Sequence, residues 1–255
     1  MRVRRPRRRG SRGEAHVPMR RGMNVNELVL VQGMKDTRAA LAQWNRDPWP
    51  VIGAWLLASV ATAVGLLVTV YLIARHSQPD TTRLIIPGVH REATFADARH
   101  VVFRNLLVLA LHAMACVAGF MAGSALPQQA ASRTGLDRWI HEKAGPLAIG
   151  FVVCATTFSL VTQAYVLGNA ASTISAQLGI SPAALLVGLA PHALPELTAL
   201  FLPLAAWVMA SRNDRWHELL AATVVTVAIA LPVLFASSIV ELYLSPKLLL
   251  ELAGA

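Results

Sequence analysis

Hydrophobic and polar positions divide this chain into long blocks and show no fine alternation. Residues 50–74, 105–132, 144–195 and 219–240 contain no Asp, Glu, Lys or Arg, and a helix of about 20 apolar residues suffices to cross a bilayer. Lipid offers no hydrogen bonds to a bare backbone, so apolar blocks of this length are read as helices. The pattern predicts five spans, roughly 50–74, 106–126, 147–168, 183–211 and 219–243. The expected fold class is all-α: a polytopic membrane protein, a bundle of about five transmembrane helices with a proline-broken fourth span.

The blocks between the spans set the domain organisation. Residues 1–48 form a basic and polar N-terminal segment, and 49–255 form the transmembrane helical domain. Within the first, residues 26–44 read as a short amphipathic helix with Leu28, Val31, Leu41 and Trp44 on its apolar side. Asp47-Pro48-Trp49-Pro50 ends it and places Trp49 as an interfacial anchor. Residues 75–104 are a polar connection with five arginines, broken by Pro79 and Pro87-Gly88, and 92–104 read as a helix entering span two. Residues 127–146 are polar again. Residues 169–181 are polar but uncharged, as in an interfacial or re-entrant turn, and Pro191, Pro195 and Pro203 interrupt the fourth span. No internal repeat is found.

Composition supports the membrane reading. Of 255 residues, 55% are hydrophobic and 15% charged, where a soluble domain carries about a quarter charged residues. That excludes a soluble enzyme, a disulfide-rich secreted domain and a disordered chain. The formal charge of +9 suggests nucleic acid only until it is located. Residues 1–21 hold nine arginines against Glu14, and the rest of the chain holds 14 basic and 13 acidic residues. The basicity is a tail, suited to anionic lipid, and no nucleic-acid partner is expected. Met19 and Met23 are alternative starts that would remove most of it. With the N-terminus inside, basic residues number 17 inside against 6 outside, or 8 against 6 from Met23. Positive charge gathers on the cytoplasmic side, so the expected location is the cytoplasmic membrane, with the N-terminus cytoplasmic and the C-terminus extracytoplasmic. Cys116 and Cys154 lie within apolar runs and read as buried, unpaired thiols. The first apolar run starts too late, and is too long, for a signal peptide.

Chemistry is sparse. The sequence holds no H-E-x-x-H, no G-x-S-x-G, no Walker A loop and no Gly-rich dinucleotide loop. Glu196 and Glu241 are the only charged residues inside or at the end of a span. No catalytic residue, metal or cofactor is expected, and the protein reads as non-enzymatic. Its one concentrated feature is Pro191-His192-Ala193-Leu194-Pro195-Glu196-Leu197-Thr198-Ala199. A charge within the membrane is costly and by default functional, and His192 and Glu196 would share a helix face. If span four ran unbroken, Glu196 would lie near the midplane, roughly 15 Å in depth from Glu241 at 1.5 Å per residue. The preferred geometry restarts the helix at Pro195, since proline suits a first turn. That would put Glu196 level with Glu241 and leave 169–194 as an outer re-entrant or interfacial element.

Each feature also has a packing role. His192 and Glu196 read as a polar clasp at the proline site, because a metal would need His112 or Glu241 to join them. Ala115, Gly119 and Gly123 form a small-residue stripe that lets another helix come close. His112 reads as a core histidine.

The 191–199 segment resembles the signature of the stage II sporulation protein M family, where Pro-His-Gly and Glu-Leu-Pro-Ala recur in this order. Three further pieces agree: Phe103-Arg104-Asn105 entering span two, Leu167-Gly168-Asn169 closing span three, and Glu241 followed by Ser245-Pro246. The resemblance covers roughly 95–250. Ala193 and Thr198 depart from it, standing where Gly and Pro are usual, and Trp207 follows Pro203 where small residues are usual. The polar motif residues it marks are Pro191, His192, Pro195, Glu196, Glu241, Asn105 and Asn169.

The resemblance implies a five-span, non-enzymatic membrane protein. In spore formers the family member is a scaffold for peptidoglycan-degrading enzymes, and relatives occur in prokaryotes that make no spores. The first expectation is thus an integral membrane scaffold organising cell-envelope proteins, with the lipid bilayer and membrane-associated peptidoglycan hydrolases as partners and room for a homo-oligomer. The alternative is a transporter or permease subunit with an ion or solute path at His192 and Glu196. A packed polar clasp favours the first, and a cavity at those residues favours the second.

Overall fold

The computed structural model describes residues 29–131 and 133–254. The arginine tail, Met19, Met23 and Leu28 lie outside the described residues. Among the described residues the chain is helical, with one isolated bridge between Pro87 and Arg91. The protein is a multi-pass membrane bundle: five helical stretches are long and apolar enough to cross a bilayer.

α1 (Val29–Trp44) is the amphipathic helix over the described part of the 26–44 stretch, residues 26–28 lying outside the described residues. Its buried positions are Gly33, Ala40 and Trp44, and the Trp44 ring meets Trp55 edge-on with centroids 5.2 Å apart. α2 (Trp49–His76) is the first span, opened by Pro48 and Pro50, with Trp49 exposed at its start. The connection to span two is ordered. Gly88, at φ +82°, turns the chain against Pro246, where a Cβ would come within 2.6 Å of the proline ring. Glycine alone enters that conformation at no steric cost. α3 (Phe95–Phe120) then starts on a capping box between Thr94 and Asp97, reinforced by Arg91, whose two terminal nitrogens donate to the two Asp97 oxygens at 2.7 and 2.6 Å. Span two continues through a π-helical turn, Met121–Ala125, into α4 (Leu126–Ala131).

The third and fourth spans differ from expectation. α5 (Gly135–Leu178) is one helix of 44 residues, about 66 Å long at 1.5 Å per residue. It absorbs both the polar 135–146 stretch and the 169–178 stretch expected to turn. α6 (Pro182–Arg212) is likewise continuous through Pro191, Pro195 and Pro203, so neither a restart at Pro195 nor a re-entrant 169–194 element forms. The turn between α5 and α6 is only Gly179-Ile180-Ser181. Gly179 adopts the left-handed conformation that closes a helix, and the Ser181 hydroxyl accepts from Ala184 N to open the next, with Pro182 at its first position. Near Pro203, side chains of α3 serve backbone carbonyls, as membrane helices allow. Cys116 Sγ donates to the Pro203 carbonyl at 3.1 Å, and His112 Nδ1 bonds the Leu200 carbonyl at 2.7 Å.

α7 (Leu219–Tyr243) is the fifth span, with the bounds the sequence indicates, and α8 (Ser245–Ala253) follows at its end. α6 is the hub: residues 199–207 are buried without a break, so this stretch is enclosed on every side. α2, α3 and α7 pack around it, and α5 leans on α2. Along α5 the large side chains Phe151, Phe158 and Tyr165 are exposed, a surface for lipid. Cys154, expected to be buried, is exposed on this helix; Cys116 is buried.

Candidate functional site

The bundle contains a cavity of about 600 Å³ near the end where α7 finishes and α3 begins. Most of its wall is apolar, contributed by α2, α5 and α6. Its polar groups come from five helices: Arg104 and Asn105 of α3, Thr162 and Gln163 of α5, His192 and Glu196 of α6, Glu241 of α7 and Ser245 of α8. Residues far apart in sequence meet here because α6 runs through the bundle centre and α3 and α7 flank it.

Glu196 and Asn105 are buried, at 8% and 2% exposed. Neither Glu196 Oε2 nor Asn105 Nδ2 has a hydrogen-bond partner, and the same holds for Glu241 Oε2. Buried polar atoms are ordinarily paired, since an unmade bond costs about 1–3 kcal/mol. Three unpaired atoms on side chains lining one cavity therefore mark it as more than packing. The charges are also poorly balanced. Arg104 reaches Glu241 only at 4.0 Å and is itself more than half exposed, while Glu196 has no ion-pair partner among the described residues. Counting His192 as neutral, two carboxylates face one guanidinium.

His192 does not clasp Glu196. Its Nδ1 bonds Ser245 Oγ at 2.7 Å, tying α6 to the start of α8. The i, i+4 spacing on α6 puts both residues on the cavity side, but the partner comes from 53 residues away. Pro191 and Pro195 flank these residues within the helix and leave it unbroken. Glu241 and Glu196 line the same cavity, although the helix restart expected at Pro195 is missing.

Other residues of the motif fall elsewhere. Asn169 donates to the Tyr165 carbonyl of its own helix at 2.8 Å, outside the cavity wall. His112 sits beside Phe201 and is occupied with Leu200. Because a carbonyl can only accept, His112 Nδ1 must carry a proton there. It does not join His192 and Glu196. The stripe Ala115, Gly119, Gly123 does serve packing, but it receives indoles. A Cβ on Gly119 would come within 2.5 Å of Trp207 Nε1, and one on Gly123 would overlap the Trp216 ring. Trp207 and Trp216 themselves stack edge-on at 6.4 Å.

Sequence reasoning did not place Arg104 or Ser245 in the site by itself. Both stand next to residues it had marked, Arg104 before Asn105 and Ser245 shortly after Glu241. A charge two positions outside a predicted span was the available signal for Arg104. Nothing local marks Ser245.

The 77–94 connection and α8 cap the cavity at their end of the bundle. Ile86 and Pro246 line it. The connection is pinned by three bonds to α5: Asp80 N donates to Thr173 Oγ1, Ser172 Oγ to the Ser77 carbonyl, and Gln177 Nε2 to the Thr82 carbonyl, at 2.9–3.0 Å. Comparisons with family models, curated proteins and solved structures return no match.

Proposed function

We propose that this membrane protein is a transporter or permease subunit that admits a small solute to the cavity between α3, α6 and α7. The observation that carries this reading is the set of unpaired buried atoms of Glu196, Asn105 and Glu241 on the wall of one cavity. Ionisable residues retained inside a membrane bundle are characteristic of substrate and ion paths. A structural clasp would satisfy its own hydrogen bonds, as His192 and Ser245 do, and would leave no space beside them.

The test is solute flux into proteoliposomes, using potassium, protons, methylammonium, leucine and leucinol as separate probes. At least one is expected to cross faster than in protein-free liposomes and to slow tenfold or more with Glu196→Gln. Absence of protein-dependent flux for every probe would overturn the reading.

A second reading is the scaffold implied by the resemblance to the stage II sporulation protein M family, non-enzymatic and engaged with peptidoglycan hydrolases. The observation that favours it is the exposed apolar length of α5, a surface on which a partner's helix or a second copy can lie. Co-purification of an envelope hydrolase from native membranes, lost when Phe151 and Phe158 are changed to alanine, would support it.

A further inference from the structure

The chemistry of the cavity wall narrows the solute to one class. We infer that the site takes an amphipathic organic cation: a protonated amine carrying a hydroxyl or carbonyl oxygen and an apolar body. This rests on the permease reading of the same cavity and specifies its ligand.

Charge comes first. The wall carries two carboxyl groups and one loosely paired guanidinium, so a cation finds two potential counter-charges there and an anion only Arg104. Hydrogen bonding agrees. The unpaired carboxylate oxygens of Glu196 and Glu241 are acceptors, and an ammonium group offers three donors and no acceptor. The third unpaired atom, Asn105 Nδ2, is a donor. It lies beside the Glu196 carboxyl without reaching hydrogen-bond geometry, and an oxygen on the ligand, which a simple alkylamine lacks, would complete its bonding.

Size decides against a bare ion. At about 30 Å³ per water, the cavity of about 600 Å³ has room for roughly twenty, yet its wall offers few polar partners for them. Leu66, Val70, Leu185, Leu189 and Leu200 present hydrocarbon over most of it. A ligand with an apolar body fills that part and leaves only its head to the carboxylates. Pockets of 300–1,000 Å³ are the usual size for small organic ligands.

The experiment is calorimetric titration of the protein in lipid nanodiscs, with empty nanodiscs as the partition control and four probes. Leucinol has the amine, the hydroxyl and the apolar body; hexylamine lacks the hydroxyl; hexanoate lacks the amine; potassium lacks the body. Leucinol is expected to bind tightest, hexylamine several-fold more weakly, and hexanoate and potassium not above the control. Glu196→Gln and, independently, Glu241→Gln are expected to weaken leucinol at least tenfold, with each variant first shown to remain monodisperse and folded by its thermal transition. Asn105→Leu is expected to remove the preference for leucinol over hexylamine while leaving hexylamine unchanged.

Equal binding of hexanoate, no amine binding above the control, or leucinol binding unaffected by both glutamate variants would each overturn the inference. If leucinol fails while potassium or proton flux remains sensitive to Glu196→Gln, the ligand class is wrong and the permease reading stands. If leucinol binds with this profile but no probe crosses the membrane, the ligand class stands and the permease reading falls.

Discussion

At Gly119 a single hydrogen atom sets how closely α3 approaches α6, because Trp207 occupies the space a side chain would need. Gly119→Leu is therefore expected to destabilise the bundle by about 1–3 kcal/mol, the usual cost of overpacking, seen as a lower thermal transition in nanodiscs. Asn105 gives the opposite expectation. Its amide nitrogen is buried and unpaired, and replacing such a group with an apolar one of similar shape can be neutral or stabilising. Asn105→Leu is expected to leave the transition unchanged or raise it while altering ligand preference, which separates a binding residue from a structural one. Ser245→Ala strands His192 Nδ1 and is expected to cost about 1–3 kcal/mol. These three side chains were visible in the sequence only as types. That Gly119 meets an indole, Asn105 a cavity beside Glu196 and Ser245 a histidine depends on partners dozens of residues away.

Among the elements, ends were more legible than interiors. Gly179, Ser181 and Pro182 carry the standard signals of a helix stop and start, and the chain turns there. The polar run at 169–178 suggested a turn too early because Ser172, Thr173 and Gln177 are polar for another reason: they hold the 77–94 connection. Prolines in α6 suggested a break that the enclosed bundle suppresses. The start of α3 depends on its capping box, and Thr94→Ala is expected to cost about 1 kcal/mol, measured as faster amide exchange over the first turn. Asp80 shapes the connection more locally. The Thr82 backbone N–H and hydroxyl donate to its carboxylate at 3.0 and 3.1 Å and hold its pKa below the ordinary carboxylate range. A depressed folded-state pKa stabilises at neutral pH and is lost as pH falls through it. Amide protection at Thr82 is accordingly expected to persist at pH 6 and fall in strong acid.

For the whole molecule, alternating spans put the 77–94 connection, the α5–α6 turn and α8 at one end, and α1, the α4–α5 junction and residues 213–218 at the other. Cysteines introduced at Arg83 and His217 in a Cys154→Ser background are expected to label from opposite sides of the membrane with an aqueous maleimide. Labelling from the same side would contradict the five-span bundle. By itself the sequence determined that the chain is helical, crosses the membrane about five times and has Glu196 and Glu241 as its costly charges. Those properties follow from hydropathy summed over twenty or more neighbours, which needs no knowledge of what packs where. The tertiary structure alone decided that α6 runs unbroken through the centre, that His192 pairs with Ser245 and not with Glu196, and that a cavity separates the two glutamates from full satisfaction. Each of these is a relation between helices remote in sequence, and in a medium as apolar as the side chains, hydropathy does not distinguish a neighbour helix from lipid.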